Sequence, residues 1–228
     1  RRTGNRFANM NVLGDFCYIS VGMVVNADEK KAKGEFRKDD LISETYDEIH
    51  SRKYIEAKDI DKYRVKRVRY LEWNTERCPD KLRRPTFREL YDRPKLIMNC
   101  LGTINVTIDV EEHFLHNHSI YCAVLWKDLK GINNKSISSS IKKFCKHTRT
   151  EMEALSSKVD LLYLLGVLNS SMAGQLLADQ RGGDYHIYPE HLRNLPIPIA
   201  TSKQQEEIAQ LVRIIMDKTH DGKDSVTK

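Results

Sequence analysis

Three histidines and two carboxylates crowd one stretch, EEHFLHNHS, from Glu111 to Ser119. Imidazoles and carboxylates are zinc ligands, so Glu111, Glu112, His113, His116 and His118 form the obvious candidate metal set. A metal centre usually draws on a second cluster of ligands, and none is evident, so the segment reads as a polar turn between strands. Pro79-Asp80 with Asp128-Leu129-Lys130 loosely matches the Pro-Asp…acid-x-Lys pattern of metal-dependent nucleases. Short patterns of this kind recur by chance, and Lys130 falls in a loop rather than at the end of a buried strand. Methyl transfer to a base amine would need an Asn/Asp-Pro-Pro-aromatic motif and a glycine-rich cofactor loop. Neither occurs, and the single adjacent glycine pair is Gly182-Gly183. There is no nucleophile elbow around a serine or cysteine.

Charge is the stronger signal. The net charge is +6 over 228 residues, but it is concentrated. Arg52 to Lys95 holds 15 Lys/Arg against 8 Asp/Glu, and Lys130 to Thr150 holds 6 Lys/Arg and no acid. A face that binds a polyanion needs such concentration, because each neutralised phosphate releases counterions. The alternative is a solvated basic face that meets an acidic protein. Read as a nucleic-acid interface, phosphates fall to the lysines and arginines of the two basic segments, among them Arg64, Lys66, Arg67, Arg69, Arg83 and Arg84. Base edges fall to three loops: Lys31, Lys33, Arg37 and Lys38; Lys130, Asn133, Asn134 and Lys135; and Arg181, Gly182, Gly183 and Tyr185. Arg181 could fork to a guanine or a phosphate, Tyr185 could pack on a sugar or base, and the glycines would allow close backbone approach. The competing reading of Gly182-Gly183 is a helix C-cap with no ligand.

Five scattered cysteines, Cys17, Cys78, Cys100, Cys122 and Cys145, form no C-x-x-C pair. They imply reduced thiols and a cytoplasmic setting rather than a disulfide framework or zinc knuckle. No apolar run is long enough to span a membrane, and no signal peptide is visible. With 40% hydrophobic residues the chain can bury one good core, or two small ones. It starts at Arg1-Arg2-Thr3 rather than Met, which reads as a piece of a longer protein.

The elements that must position these residues follow from patterning. Phe16 to Val25 predicts a strand with a bend or bulge at Gly22, and Asn26 to Asp40 an exposed loop. Arg64 to Trp73 predicts a strand with one wet, positive face. Thr86-Phe87-Arg88-Glu89 fits a capping box that opens a short helix before Pro94. Lys95–Leu101, Ile104–Val110 and Ser119–Trp126 predict three central strands, the first two joined by a tight turn at Gly102-Thr103. Lys130 to Thr150 reads as loop in its first half and helix in its second. Val159–Leu168 is nearly all apolar and predicts a core helix, followed after Asn169-Ser170 by a helix over Ser171–Ala178. Ser202 and Gln205 form a second capping-box pattern, and Ile208, Leu211, Val212 and Ile215 repeat at helical spacing.

The C-terminal order carries a resemblance. LLYLLGVLNSSMAGQLL (161–177), the Gly-Gly turn, Ile187, Leu192-Arg193-Asn194-Leu195-Pro196-Ile197-Pro198 and the Gln204-Gln205-Glu206-Glu207-Ile208 helix start resemble the TaqI-like C-terminal specificity (target-recognition) domain of Eco57I-class restriction–modification enzymes. More loosely, Lys53 to Tyr63, Pro94 to Ile97 and Asn117 to Trp126 resemble that family's sheet. The resemblance spans about Phe16 to Thr219. It implies sequence-specific recognition of double-stranded DNA for an adenine methyltransferase, and no catalytic residue carries over, because the family's catalytic centres lie in other domains. It also implies that S-adenosylmethionine belongs to the missing domain of the parent chain and that this chain needs no cofactor.

The combined expectation is an α+β fold: a twisted, mostly antiparallel sheet flanked by helices, with the C-terminal helices packed on one side. Residues 1–15 are expected as a linker, 16–219 as the recognition domain with a helical part from 155, and 220–228 as a disordered tail. The partners are duplex DNA, held in a positive cleft, and the methyltransferase or nuclease domain of the same parent, with no membrane. A specificity-subunit-like piece of a multisubunit restriction system, a metal-dependent nuclease fragment and a protein-interaction module are the other readings.

Overall fold

The structure is a computed structural model that describes residues 10–221. Two compact units emerge: Ser20–Val124 forms a sheet unit, and the described residues up to Ile19 and from Leu125 form a helical unit. The fold is α+β, with mostly antiparallel strand pairing. The expected tail from 222, like residues 1–9, lies outside the described residues.

The chain enters through the helical turn α1 (Leu13–Phe16) and strand β1 (Cys17–Val21). In the stretch expected as linker, Leu13 is fully buried and its N–H donates to the Leu195 carbonyl at 2.9 Å. The sheet unit continues with β2 (Val24–Ala27), β3 (Ile42–Ser43), β4 (Arg52–Ile55), β5 (Ile60–Asp61), β6 (Arg64–Val65), β7 (Arg69–Leu71) and β8 (Leu82–Arg84). Helix α2 (Glu89–Asp92) leads to β9 (Lys95–Asn99), β10 (Val106–Asp109), β11 (Leu115–His116) and β12 (Ile120–Leu125).

Strands β12, β9 and β10 form the spine. All pairs are antiparallel, with Cys122 opposite Ile97 and Ile97 opposite Thr107. Every residue of β9 and β12 is buried, which is why β12 and the Leu96–Met98 centre of β9 read as continuous apolar runs rather than alternating ones: each is covered on two faces. A second sheet has the order β11-β4-β7-β3, antiparallel except for the parallel β11–β4 pair. Ile55, Ile60, Ile97, Phe114 and Ile120 pack together as a core.

Four local expectations change. The bend at Gly22 separates β1 from β2, and the cause is crowding: a Cβ there would lie 2.3 Å from the carbonyl oxygens of both His116 and Asn117. Arg64 to Trp73 splits into β6 and β7 instead of one strand. The β9–β10 connection runs over residues 100–105, because the Asn99 side chain braces a wider turn. Its amide donates to the Thr103 carbonyl at 2.9 Å and accepts from the Asn105 N–H at 2.7 Å. Thr86 caps nothing: it sits at φ 64°, bonded to the Tyr91 hydroxyl at 2.7 Å, and α2 starts without a side-chain cap.

The helical unit holds α3 (Lys135–Phe144), α4 (Arg149–Ser156), α5 (Leu161–Asn169), α6 (Ser171–Arg181), α7 (Pro189–Arg193) and α8 (Ser202–Asp221). Side-chain caps start several of them. Asn134 accepts from Ser136 N–H at 2.7 Å, Thr148 and Glu151 form a reciprocal box, Asp160 accepts from Leu162 N–H, and Ser170 accepts from Ala173 N–H. At α8 the box is one residue earlier than predicted: Gln204 Oε1 accepts from Thr201 N–H at 2.9 Å. Gln205 is thereby released inward, where it donates to the Lys158 and Ala200 carbonyls and accepts from Asp160 N–H. Gly166 of α5 lets α8 close in, since a Cβ there would lie 2.9 Å from Ile208 and 3.0 Å from Val212. No single helix among the described residues is long and apolar enough to cross a membrane. The α5–α6 pair passes together by length and composition but bends by 63°.

Candidate nucleic-acid interface

In the sheet unit the loop after β2 is built on Asp28, whose carboxylate accepts from Lys30 and Lys31 N–H at 2.9 and 3.2 Å. Ala32 and Phe36 anchor it inward. That leaves Lys33 and Arg37 exposed and unpaired among the described residues. Lys31 donates to the Asp80 carbonyl at 2.8 Å, which ties the loop to the chain entering β8. On β8, Leu82 points inward while Arg83 and Arg84 are exposed, with no ion pair among the described residues.

Other predicted contacts of this unit are already occupied. Lys38 pairs with Glu56 at 2.7 Å. Arg64 lies 3.8 Å from Asp61, and Arg67 pairs with Glu44 at 2.6 Å. Lys66 is exposed. Arg69 must be withdrawn from the phosphate set. It is only 6% exposed and sits between Glu56 and Asp59 with its guanidinium over the Tyr54 ring. Burial raises the Glu56 carboxyl, but hydrogen bonds from Lys38 and Arg69 outweigh it and hold the group at about 2.

In the helical unit, Lys130, Asn133 and Lys135 are exposed, while the Asn134 amide is spent on capping α3. Arg149 serves the fold: it donates to the Ile132 carbonyl at 2.8 Å and pairs with Glu153 at 2.9 Å. Gly182 is the αL cap of α6 at φ 57°, followed by Gly183 at φ 96°, and a Cβ on either would meet nothing within 4 Å. The pair is therefore explained by backbone conformation, not by close approach. Arg181 folds back to donate to the Tyr185 carbonyl at 3.2 Å. Tyr185 is 70% exposed, and beside it His186 stacks on Tyr188 with ring centroids 5.6 Å apart.

The sequence reading placed a helix only in the second half of Lys130 to Thr150, whereas α3 already starts at Lys135. Ile137 is buried and Ile141 half-buried on one side, while Lys135, Ser136, Ser138, Ser139, Lys142 and Lys143 are all exposed on the other. Lys130, Lys135, Lys142, Lys143 and Lys146 make no ion pair among the described residues, in contrast to most cations between Arg52 and Lys95. The readable signal was the spacing of Ile137, Ile141 and Phe144 in an acid-free stretch.

The catalytic candidates separate. His113 and His118 are exposed, whereas His116 is fully buried against Tyr91, their ring centroids 5.1 Å apart. Burial, then the Lys95 charge, lowers the His116 imidazole to about 3, so it is neutral. Among the described residues no group of three His, Cys, Asp or Glu side chains is placed to hold a metal. All five thiols are free, and burial raises each of them, which keeps them protonated and poorly nucleophilic near neutral pH.

Compared with known proteins, the chain matches no protein-family model and no curated protein.

Proposed function

We propose that this chain is a target-recognition domain of a restriction–modification protein, cytoplasmic in setting, that binds double-stranded DNA and positions it for an adenine methyltransferase domain of the same parent. The observation that carries the reading is the run of cations from Lys130 to Lys146, unpaired among the described residues; the sheet unit by itself also exposes Lys33, Arg37, Arg83 and Arg84. Uncompensated positive charge gains most from contact with phosphate, because no internal carboxylate has to be given up. In this reading the neighbouring domain holds S-adenosylmethionine and flips the target base, while this chain supplies grip and register. Gly182-Gly183 caps a helix and is not offered as a cofactor loop.

The test is binding of the chain to a mixed duplex pool over a salt series, followed by sequencing of the retained duplexes. Binding that weakens steeply with salt, with one sequence enriched, supports the proposal. Salt-sensitive capture of acidic polypeptide without duplex binding replaces it with the protein-interaction reading.

A further inference from the structure

We infer that α3 is the element that enters the DNA major groove and reads base edges there, with Lys135, Ser139 and Lys142 on its crest. The inference rests on the duplex-binding proposal above and adds which element reads sequence.

Advancing 100° per residue, Ile137, Ile141 and Phe144 fall within one narrow sector. That sector is anchored: Ile137 is fully buried, and the Arg193 guanidinium lies 4.2 Å from the centre of the Phe144 ring. Lys135, Ser139 and Lys142 fall on the opposite side, flanked by Ser136, Ser138 and Lys143, and all six are exposed. The outward face therefore carries only ammonium and hydroxyl groups. Both reach the guanine N7 and O6 acceptors, and a hydroxyl also accepts from base amines. No carboxylate on α3 would repel phosphates.

Size agrees. Ten residues make a helix about 15 Å long and about 10–12 Å across with its side chains, which the B-form major groove, about 12 Å wide, admits. Small serines between the lysines let the backbone come close, which a crest of long side chains would prevent. An A-form RNA duplex is excluded by its narrow major groove. A membrane surface is disfavoured because Ile137 is fully buried and Ile141 half-buried in the unit, which leaves Phe144 as the one exposed apolar side chain of α3.

The experiment uses the 228-residue chain and duplexes selected from a random pool. Lys142→Ala and Ser139→Ala are compared with Arg83→Ala, and far-ultraviolet circular dichroism checks that each variant folds. Alanine favours the helix over either residue it replaces, so loss of α3 is not the expected effect. The expected result is that Lys142→Ala loses about tenfold in affinity for the selected duplex and enriches a broader set of sequences. Arg83→Ala should weaken binding while enriching the wild-type sequence. Methylation of guanine N7, which lies in the major groove, should block binding of the selected duplex. An unchanged enriched sequence in both α3 variants, with any loss uniform across the pool, overturns the inference and leaves the duplex reading standing. Equal binding of a double-stranded RNA competitor also overturns it. Failure of the wild-type chain to bind any duplex removes both.

Discussion

Arg69 sits among carboxylates, so its removal should harm folding rather than binding. Arg69→Ala leaves Glu56 and Asp59 buried without their shared partner. The expected cost is on the order of 3 kcal/mol in chemical denaturation, whereas Arg84→Ala, on an exposed side chain, should stay within about 0.5 kcal/mol. Glu56 also sets an acid limit. Its folded pKa, held at about 2, lies below the unfolded value of roughly 4.3. The stability it contributes is therefore complete above that unfolded value and is lost as pH falls towards 2. Glu56→Gln should be less stable at pH 7 and should flatten that part of the stability–pH curve. His116 acts in the window above. Its folded pKa of about 3 lies below the unfolded value of roughly 6.5, so protonation favours the unfolded chain as pH falls below that value. His116→Leu should remove this slope between about pH 6.5 and 4.5, read from denaturation midpoints.

At the scale of elements, the joints matter more than the helices. Gln205 satisfies three backbone groups at the junction of α5 and α8, and Gln205→Leu would leave them unpaired in a buried place. The expected loss is about 2–3 kcal/mol, against less than about 0.5 kcal/mol for exposed Gln210→Leu. Gly22→Ala should cost about 3 kcal/mol, because its Cβ would meet two backbone oxygens that cannot move independently. The same joints mark where local reading ends. The apolar run at 161–168, the continuous runs of β9 and β12, and the cap of α6 at Gly182 were legible, since each depends on residues within one or two turns. Asn99 as a turn brace and the register of the α8 cap were not. Asn99 bonds to groups up to six residues away, and Thr201 and Ser202 are chemically equivalent caps until Gln205 is known to be needed inside.

For the molecule as a whole, the duplex reading predicts a steep salt dependence, with a slope of log affinity on log salt of about −5 if six phosphates are contacted. Combining Arg83→Ala with Arg84→Ala should reduce that slope by about 2 and leave the enriched sequence unchanged. Net charge, its concentration in two segments and the α+β class were all present in the sequence, because composition and short-range periodicity do not depend on how the chain closes. Which cations remain available was decided largely by tertiary structure. Lys38 finds Glu56, Arg67 finds Glu44, Arg52 finds Asp92 and Lys53 finds Glu112, partners far apart in sequence and brought together by the closing of the sheet unit. The lysines of 130–146 stay unpaired because their segment has no acid of its own and its fold brings none within reach among the described residues. Two segments of nearly equal charge in sequence thus become one largely neutralised scaffold and one exposed basic helix. Coulomb attraction depends on distance in space, and only the folded chain sets that distance.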